Sequence, residues 1–370
     1  MSDRTNSANS CKSILHFMKE IGEDPSAMKT RALFQDLAWK AQFVDRPHRA
    51  QFVDLALSKL VHRTLQSLGC ADLVQGVSPA PPRKEFDVGL ITIVPVELKA
   101  VLVAFGGRPE ESEKEDLSRG AERYWFRSLR RKGKRSLLAV ITVVGQSRNV
   151  PCAIATERLV QTFSAKTLIL VGIAAGLKTK VRIGDVVAAE RVIDYEHVRQ
   201  ELTTLYVAKK RSDGRIWIQR NKTRVTKRRP LHIMPASKIG NDLSVFTPNP
   251  RNFVKFYRRE LRKFDVQGAA SLGSDCAPKY YKGTIASGEK LIADGSLVDL
   301  RLHFDERLRA ADQDSSGFAQ ACQLSEPQIP WAVFRGVSDY GTPAKKDGYQ
   351  QAAAVAAACA AVLFLNSSYR

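Results

Sequence analysis

"VFRGVSDYGT", residues 333–342, is an apolar run that carries one arginine, shrinks to small residues and closes on a serine beside an aspartate. Runs of this kind form strands buried on both faces, and the last polar pair falls at the mouth of a parallel sheet. The same texture recurs upstream. "FDVGLITIV" (86–94), "SLLAVITVVG" (136–145) and "TLILVGIAAG" (167–176) are short β-rich runs, the last breaking into a glycine turn. "PVELKAVLVAFGG" (95–107) and "NVPCAIATERLVQTFS" (149–164) suit helices, as does the alanine-rich "GYQQAAAVAAACAAVLFLN" (348–366). Strands alternating with helices imply an α/β fold, a mainly parallel sheet with helices on both faces. Ligands in such folds bind at the carboxyl ends of the strands, which puts Ser338 and Asp339 where a site would lie.

The length, 370 residues, favours two domains or one large domain with an appendage, and 44% hydrophobic content supplies a full core. Residues 11–75 have the helical spacing of apolar residues, in "SILHFMKEIG" (13–22) and "HRAQFVDLALSKLVHRTLQSLG" (48–69). "QGVSPAPPRKE" (75–85) then breaks the pattern with glycine and prolines. The expected organisation is a helical module over 1–75, a linker over 76–85 and the main domain over 86–370. No run approaches the ~18–20 apolar residues of a membrane-spanning helix, and the polar start "MSDRTNSANSCKS" has no apolar core of a signal peptide. Membrane attachment is therefore not expected. Six dispersed cysteines argue against zinc and against a disulfide framework; thiols buried in a reducing cytoplasm are expected. The histidines have no metal-ligand spacing either.

The formal net charge is +20, an excess that attracts anions without choosing among them. Much of it crowds into "AKKRSDGRIWIQRNKTRVTKRRPLHI" (208–233), inside an excursion over about 198–275 that interrupts the strand–helix rhythm. A solvated loop is the plain reading. The alternatives are nucleic-acid contact through residues 209–229, with Trp217 available for stacking, or a funnel for a phosphorylated substrate.

Six segments carry a resemblance. "DVGLITIVPVELKAVL", "VVGQSRNVPCAIAT", "LVGIAAGLKTKVRIGDVV", "GTIASGEKLI", "DQDSSGFAQAC" and "VFRGVSDY" stand in the order seen in the nucleoside phosphorylase/nucleosidase superfamily. Within it the chain most resembles the 5′-methylthioadenosine/S-adenosylhomocysteine nucleosidases, over roughly 86–197 and 280–366. The resemblance implies a three-layer fold and hydrolysis of the N-glycosidic bond of an adenosine-type nucleoside or nucleotide. It implies no metal and no organic cofactor, and an assembly of several copies. It also suggests an effector in signalling or defence, with 1–75 recruiting a protein partner.

Residue by residue, the resemblance gives Asp339 the proton that purine N7 takes as the bond breaks. A departing purine anion is a poor leaving group, and general acid catalysis of this kind contributes roughly 10²–10⁴-fold. Glu97 activates the attacking water, and Asp314 grips the ribose hydroxyls with charge-assisted bonds. Here the family's E-M-E run has become Asp312-Gln313-Asp314, one methylene shorter at the gripping position. Ala174, Ala175 and Gly176 match the turn that approaches the nucleoside, with Gly176 expected at positive φ. Leu291 and Ile292 match the positions that sandwich the purine, and Gln313 and Ser338 flank the two aspartates. Arg335, a charge in an apolar strand, needs an acidic partner, and Glu97 or Asp314 would serve.

Plainer readings stand beside these. Asp339 would serve as a helix N-cap, Glu97 as an exposed acid in a first helical turn, and Leu291 and Ile292 as core. Ile173 replaces the hydroxyl residue with which phosphorylases bind phosphate, favouring water as nucleophile. A phosphate-dependent phosphorylase and a nucleotide-sensing or nucleic-acid-associated module without turnover are the rival functions.

Overall fold

A computed structural model of the chain describes residues 83–264, 277–343 and 347–367. The helical module expected over 1–75, and the linker as far as residue 82, lie outside the described residues. The chain enters through β1 (Glu85–Phe86), β2 (Val88–Thr92) and helix α1 (Pro95–Ala104). It continues through β3 (Leu117–Arg119), β4 (Glu122–Arg131), β5 (Lys134–Val143), α2 (Asn149–Thr162), β6 (Ser164–Ala165), β7 (Leu168–Gly176) and β8 (Val186–Asp194). A hairpin, β9 (Val198–Lys210) and β10 (Ile216–Arg228), precedes β11 (Leu231–Ile233), α3 (Ser237–Val245) and α4 (Pro250–Leu261). The last third holds β12 (Tyr280–Ser287), α5 (Leu297–Phe304), β13 (Leu308–Asp312), α6 (Ser315–Leu324), β14 (Trp331–Asp339) and α7 (Gln350–Ser367).

Parallel pairing joins β5, β2, β7 and β14, and separately β8, β12 and β13. The two blocks meet antiparallel, where β14 pairs β8 and β7 pairs β13. Every residue of β2 and of β14 is buried, as their unbroken apolar runs require. One core packs α1, α3, α4 and α7 against one face of the sheet; a second packs α2 and α6 against the other. The result is three layers.

Helix α7 is long and apolar enough to cross a membrane by length and composition, an exception to the sequence expectation. It is instead a core helix, 72% buried within the protein, and its alanines let it lie close to the sheet. Gly336 of β14 sits so near that a Cβ there would overlap the carbonyl of Ala353.

Two expectations need correction. The run at 167–176 does not break into a glycine turn: β7 continues through Gly176, which has no positive φ. Glycine is required there because a Cβ would press on Val337 and Val181. The excursion over 198–275 also divides. Its first part is the hairpin β9–β10, a two-stranded sheet of its own. Its second part belongs to the core, where Ile239, Leu243, Phe246, Phe253 and Tyr257 of the α3–α4 segment are buried.

Candidate active site

The carboxyl ends of β7, β13 and β14, the entry to α1 and the segment after β12 converge on a cavity of about 420 Å³. Of the residues singled out from sequence, Glu97, Ala174, Ala175, Leu291, Ile292, Gln313, Asp314, Ser338 and Asp339 all line it. Gly176 and Arg335 do not. Leu291 is 62% exposed, so it forms part of the cavity wall rather than of the core.

Glu97 is set by local backbone geometry. Pro95 opens α1, and its fixed φ suits the first helical position. The Glu97 side chain folds back over that start: Oε2 accepts from the Ile93 and Val94 amides at 2.6 and 3.1 Å. Oε1 accepts from the Ile173 amide of β7 at 2.8 Å. The carboxyl is 2% exposed, unlike the solvated first-turn acid of the plainer reading. Three amide bonds leave Oε1 one lone-pair direction for a further donor.

Arg335 lies beneath, wholly buried on β14. Its nearest acid is neither of the two expected from sequence. Nε donates to Asp312 Oδ2 at 2.7 Å, Nη2 to Asp314 Oδ2 at 3.1 Å, and Nη1 stands 3.8 Å from Glu97 Oε1. Asp312 was missed as a site residue, although a buried guanidinium calls for well-bonded partners. It also accepts from the Ser315 amide at 3.1 Å and from the Ser315 hydroxyl, tying β13 to the start of α6.

One cation cannot neutralise three buried acids, and Glu97 and Asp314 both titrate above their ordinary ranges. Burial pushes Glu97 above the ordinary glutamate range, against the opposing pull of Arg335 and three amides. Burial lifts Asp314 to about 7, with Arg335 opposing and Asp312 adding repulsion. For Arg335 burial acts downward, but the three carboxylates together hold it higher than usual.

Gly172 permits this arrangement. A Cβ at that position would overlap both Arg335 Nη1 and Glu97 Oε1, so the backbone of β7 is part of the packing around the charges. Arg148 contributes in a different way. Its amide donates to Asp314 Oδ1 at 2.8 Å from a backbone with φ 127° and ψ 155°, a region that glycine alone enters freely. Neither residue was read as functional from sequence; an arginine in a glycine conformation leaves no trace in composition.

Asp339 ends β14. Oδ2 accepts from the Ser338 hydroxyl at 2.9 Å and Oδ1 from the Gly341 amide at 2.8 Å, so it closes a turn rather than capping a helix. Asp185 accepts from the Arg182 and Lys279 amides, each at 2.8 Å, and so ties the turn before β8 to the entry of β12. Among the described residues Ser147, Lys290 and Gln350 complete the polar lining, with Lys290 its one cation. Among the described residues no cluster of histidine, cysteine and acids has the arrangement of a metal site.

A family model described as the phosphorylase superfamily matches residues 87–366. The chain is 26% identical over 291 residues to the ATP nucleosidase Cap17 of Escherichia coli, covering 76% of this chain and 51% of that protein. It thus spans about half the length of that relative. It is 26% identical over 228 residues to a 5′-methylthioadenosine/S-adenosylhomocysteine nucleosidase of Mycobacterium tuberculosis, covering 60% and 78% of the two chains. A solved nucleosidase of the same description from Neisseria meningitidis, in complex with methylthio-immucillin-A, aligns with TM-score 0.49 and 18% identity over 77% and 99% of the chains. The matched span contains every strand and helix that brings a carboxylate to the cavity, and the chain belongs to the phosphorylase superfamily.

Proposed function

We propose that the chain is a purine nucleosidase that hydrolyses the N-glycosidic bond of an adenosine-type nucleoside or nucleotide. The observation that carries this reading is that Glu97 and Asp339 line one cavity, with Asp314 beside them. Such a pair supplies both ends of the reaction. Water bound at the open lone pair of Glu97 Oε1 attacks C1′ and gives its proton to that carboxylate. The C1′–N9 pair passes into the purine, and Asp339 delivers a proton to N7, so the base leaves neutral. Asp314 accepts from ribose hydroxyls through the lone pairs that Arg148 and Arg335 leave open. Arg335 is a positioning residue: it fixes the three acids without touching substrate.

Among the described residues four carboxylates and a single lysine line the cavity, a balance that opposes an anionic phosphate nucleophile and supports water. The names of the curated relatives, an ATP nucleosidase and a methylthioadenosine/S-adenosylhomocysteine nucleosidase, point to the same bond and to adenosine-type substrates. A second reading, a nucleotide-binding module without turnover, draws on Asp314, the shorter acid whose two oxygens are already bonded to Arg148 and Arg335. Chromatography after incubation with adenosine, methylthioadenosine, AMP and ATP separates the possibilities. Free adenine without added phosphate is expected. Release that requires phosphate would establish a phosphorylase, and tight binding without product would establish the module.

A further inference from the structure

Among the described residues, hairpin β9–β10 stands apart from the ten-stranded sheet and pairs only with itself. Each strand has 13 residues, a ribbon on the order of 43 Å long at the usual rise per residue. Two-stranded ribbons are marginal alone, so one this long is expected to gain order from a partner. The register divides its side chains between two unlike faces.

On one face, Arg199 and Lys227 both pair with Glu201. Trp217, opposite Lys209, belongs to this face as well. The other face has no acid at any register position. There β10 contributes Arg220, Lys222 and Arg224, opposite Tyr206, Thr204 and Leu202 of β9. All three cations are exposed, and no ion pair holds them among the described residues. Leu202 and Tyr206 are 72% and 65% exposed, and Ile216 and Ile218 near the tip are 71% and 65%. The Arg220 guanidinium lies 5.9 Å from the Tyr206 ring centroid.

The result is two parallel rows about 5 Å apart across the ladder. One is cationic, with charges about 6.7 Å from each other along β10. The other alternates apolar and hydrogen-bonding groups, with Gln200 and Thr204 set between Val198, Leu202 and Tyr206. A row of unpaired cations beside a row of stacking and hydrogen-bonding side chains matches a strand with phosphates along one edge and bases along the other. We propose that this face binds single-stranded nucleic acid, its phosphates on Arg220, Lys222 and Arg224 and its bases over Leu202 and Tyr206.

Other occupants fit less well. A second copy of the same face would oppose cation to cation. A bilayer needs a continuous apolar surface, which Gln200 and Thr204 interrupt. A mononucleotide is far shorter than the charged row. The ribbon is also rooted beside the cavity: Lys290, which lines it, bonds through its amide to Glu196 at 3.3 Å and through its carbonyl to Tyr195 at 3.4 Å. Both residues lie in the segment between β8 and β9.

The test uses the full chain and a dye-labelled oligothymidine, followed by fluorescence anisotropy across about 50 to 200 mM salt. The combined variant Arg220→Gln/Lys222→Gln/Arg224→Gln is expected to bind at least tenfold more weakly at the lower salt. Its log K against log salt should be shallower by about 2, the loss of three phosphate contacts on a single strand. Arg220→Lys/Arg224→Lys should keep the slope, and Tyr206→Ala should lower affinity about fivefold or more with the slope unchanged. Adenine release from a mononucleoside should be the same in every variant. An unchanged slope in the triple variant would overturn the proposal, as would absence of binding at the lowest salt. Equal binding of a duplex with no effect of Tyr206→Ala would overturn it too, and so would preference for phosphatidylserine vesicles over the oligonucleotide.

Discussion

The floor of the cavity and the β9–β10 hairpin hold the same kinds of residue under opposite conditions. At the floor, Arg335 is wholly buried and three carboxylates surround it within 3.8 Å. On one face of the hairpin, Arg220, Lys222 and Arg224 are exposed, with no acid opposite them. A buried charge must be compensated inside the protein, so its geometry is fixed and its removal is costly. An exposed charge is solvated at little cost and stays available to something else. The contrast separates charges that build a site from charges that await a partner.

The largest effect should come from the acid that the proposed reaction sets against the purine. Asp339→Asn should lower the rate of base release roughly 10²–10⁴-fold, with an unchanged thermal unfolding midpoint. Equal loss of rate and of folding would merge the catalytic and structural roles that the comparison keeps apart. Next comes Arg335→Met, which leaves three buried acids without a cation and should lower stability by about 3–5 kcal/mol in urea unfolding. A neutral result would mean that the floor tolerates uncompensated charge as the hairpin does.

A smaller effect follows pH. Asp314, lifted to about 7, takes up a proton as the pH falls through that value and ceases to be the anionic acceptor that the proposed function assigns to the ribose hydroxyls. Glu97, also raised, loses base strength in the same direction. kcat/KM should therefore decline below about pH 7, chiefly through a rise in KM, in a pH–rate profile. The linkage to stability has the opposite sense. A folded pKa raised above the ordinary 3.8 gives a contribution that is full below that value and is lost as pH rises through about 7. Relative to the protein as it stands, Asp314→Asn should gain stability from pH 5 to pH 8. The smallest effect belongs to the hairpin: Arg224→Gln should change unfolding free energy by no more than about 0.5 kcal/mol.

The parts of this fold that sequence expresses well are those where one requirement dominates. β2, β7 and β14 read as strands because burial on both faces leaves no room for polar alternation until the site is reached. Nine of the eleven residues singled out for the site line one cavity, since strand ends and short motifs fix their positions. The misses arise where a residue answers to a distant neighbour. Asp312 is bound to Arg335 of another strand, and Gly172 is small because two side chains from elsewhere press on it. The hairpin had a period-two pattern, in Leu202, Thr204 and Tyr206 against Arg220, Lys222 and Arg224, but dense charge made the segment look like a loop. Its extent was overestimated because α3 and α4 follow directly, and their contribution to the core depends on packing against α7.

The close approach of Gly336 to Ala353 limits how this scaffold can evolve. No side chain can grow between β14 and α7 without pushing the two apart, so the strand that ends in Asp339 has almost no freedom to shift or tilt. Divergence in what the cavity accepts must therefore arise in its rim, in the segments around Ser147 and Lys290, where insertions and exchanges leave the reacting groups undisturbed.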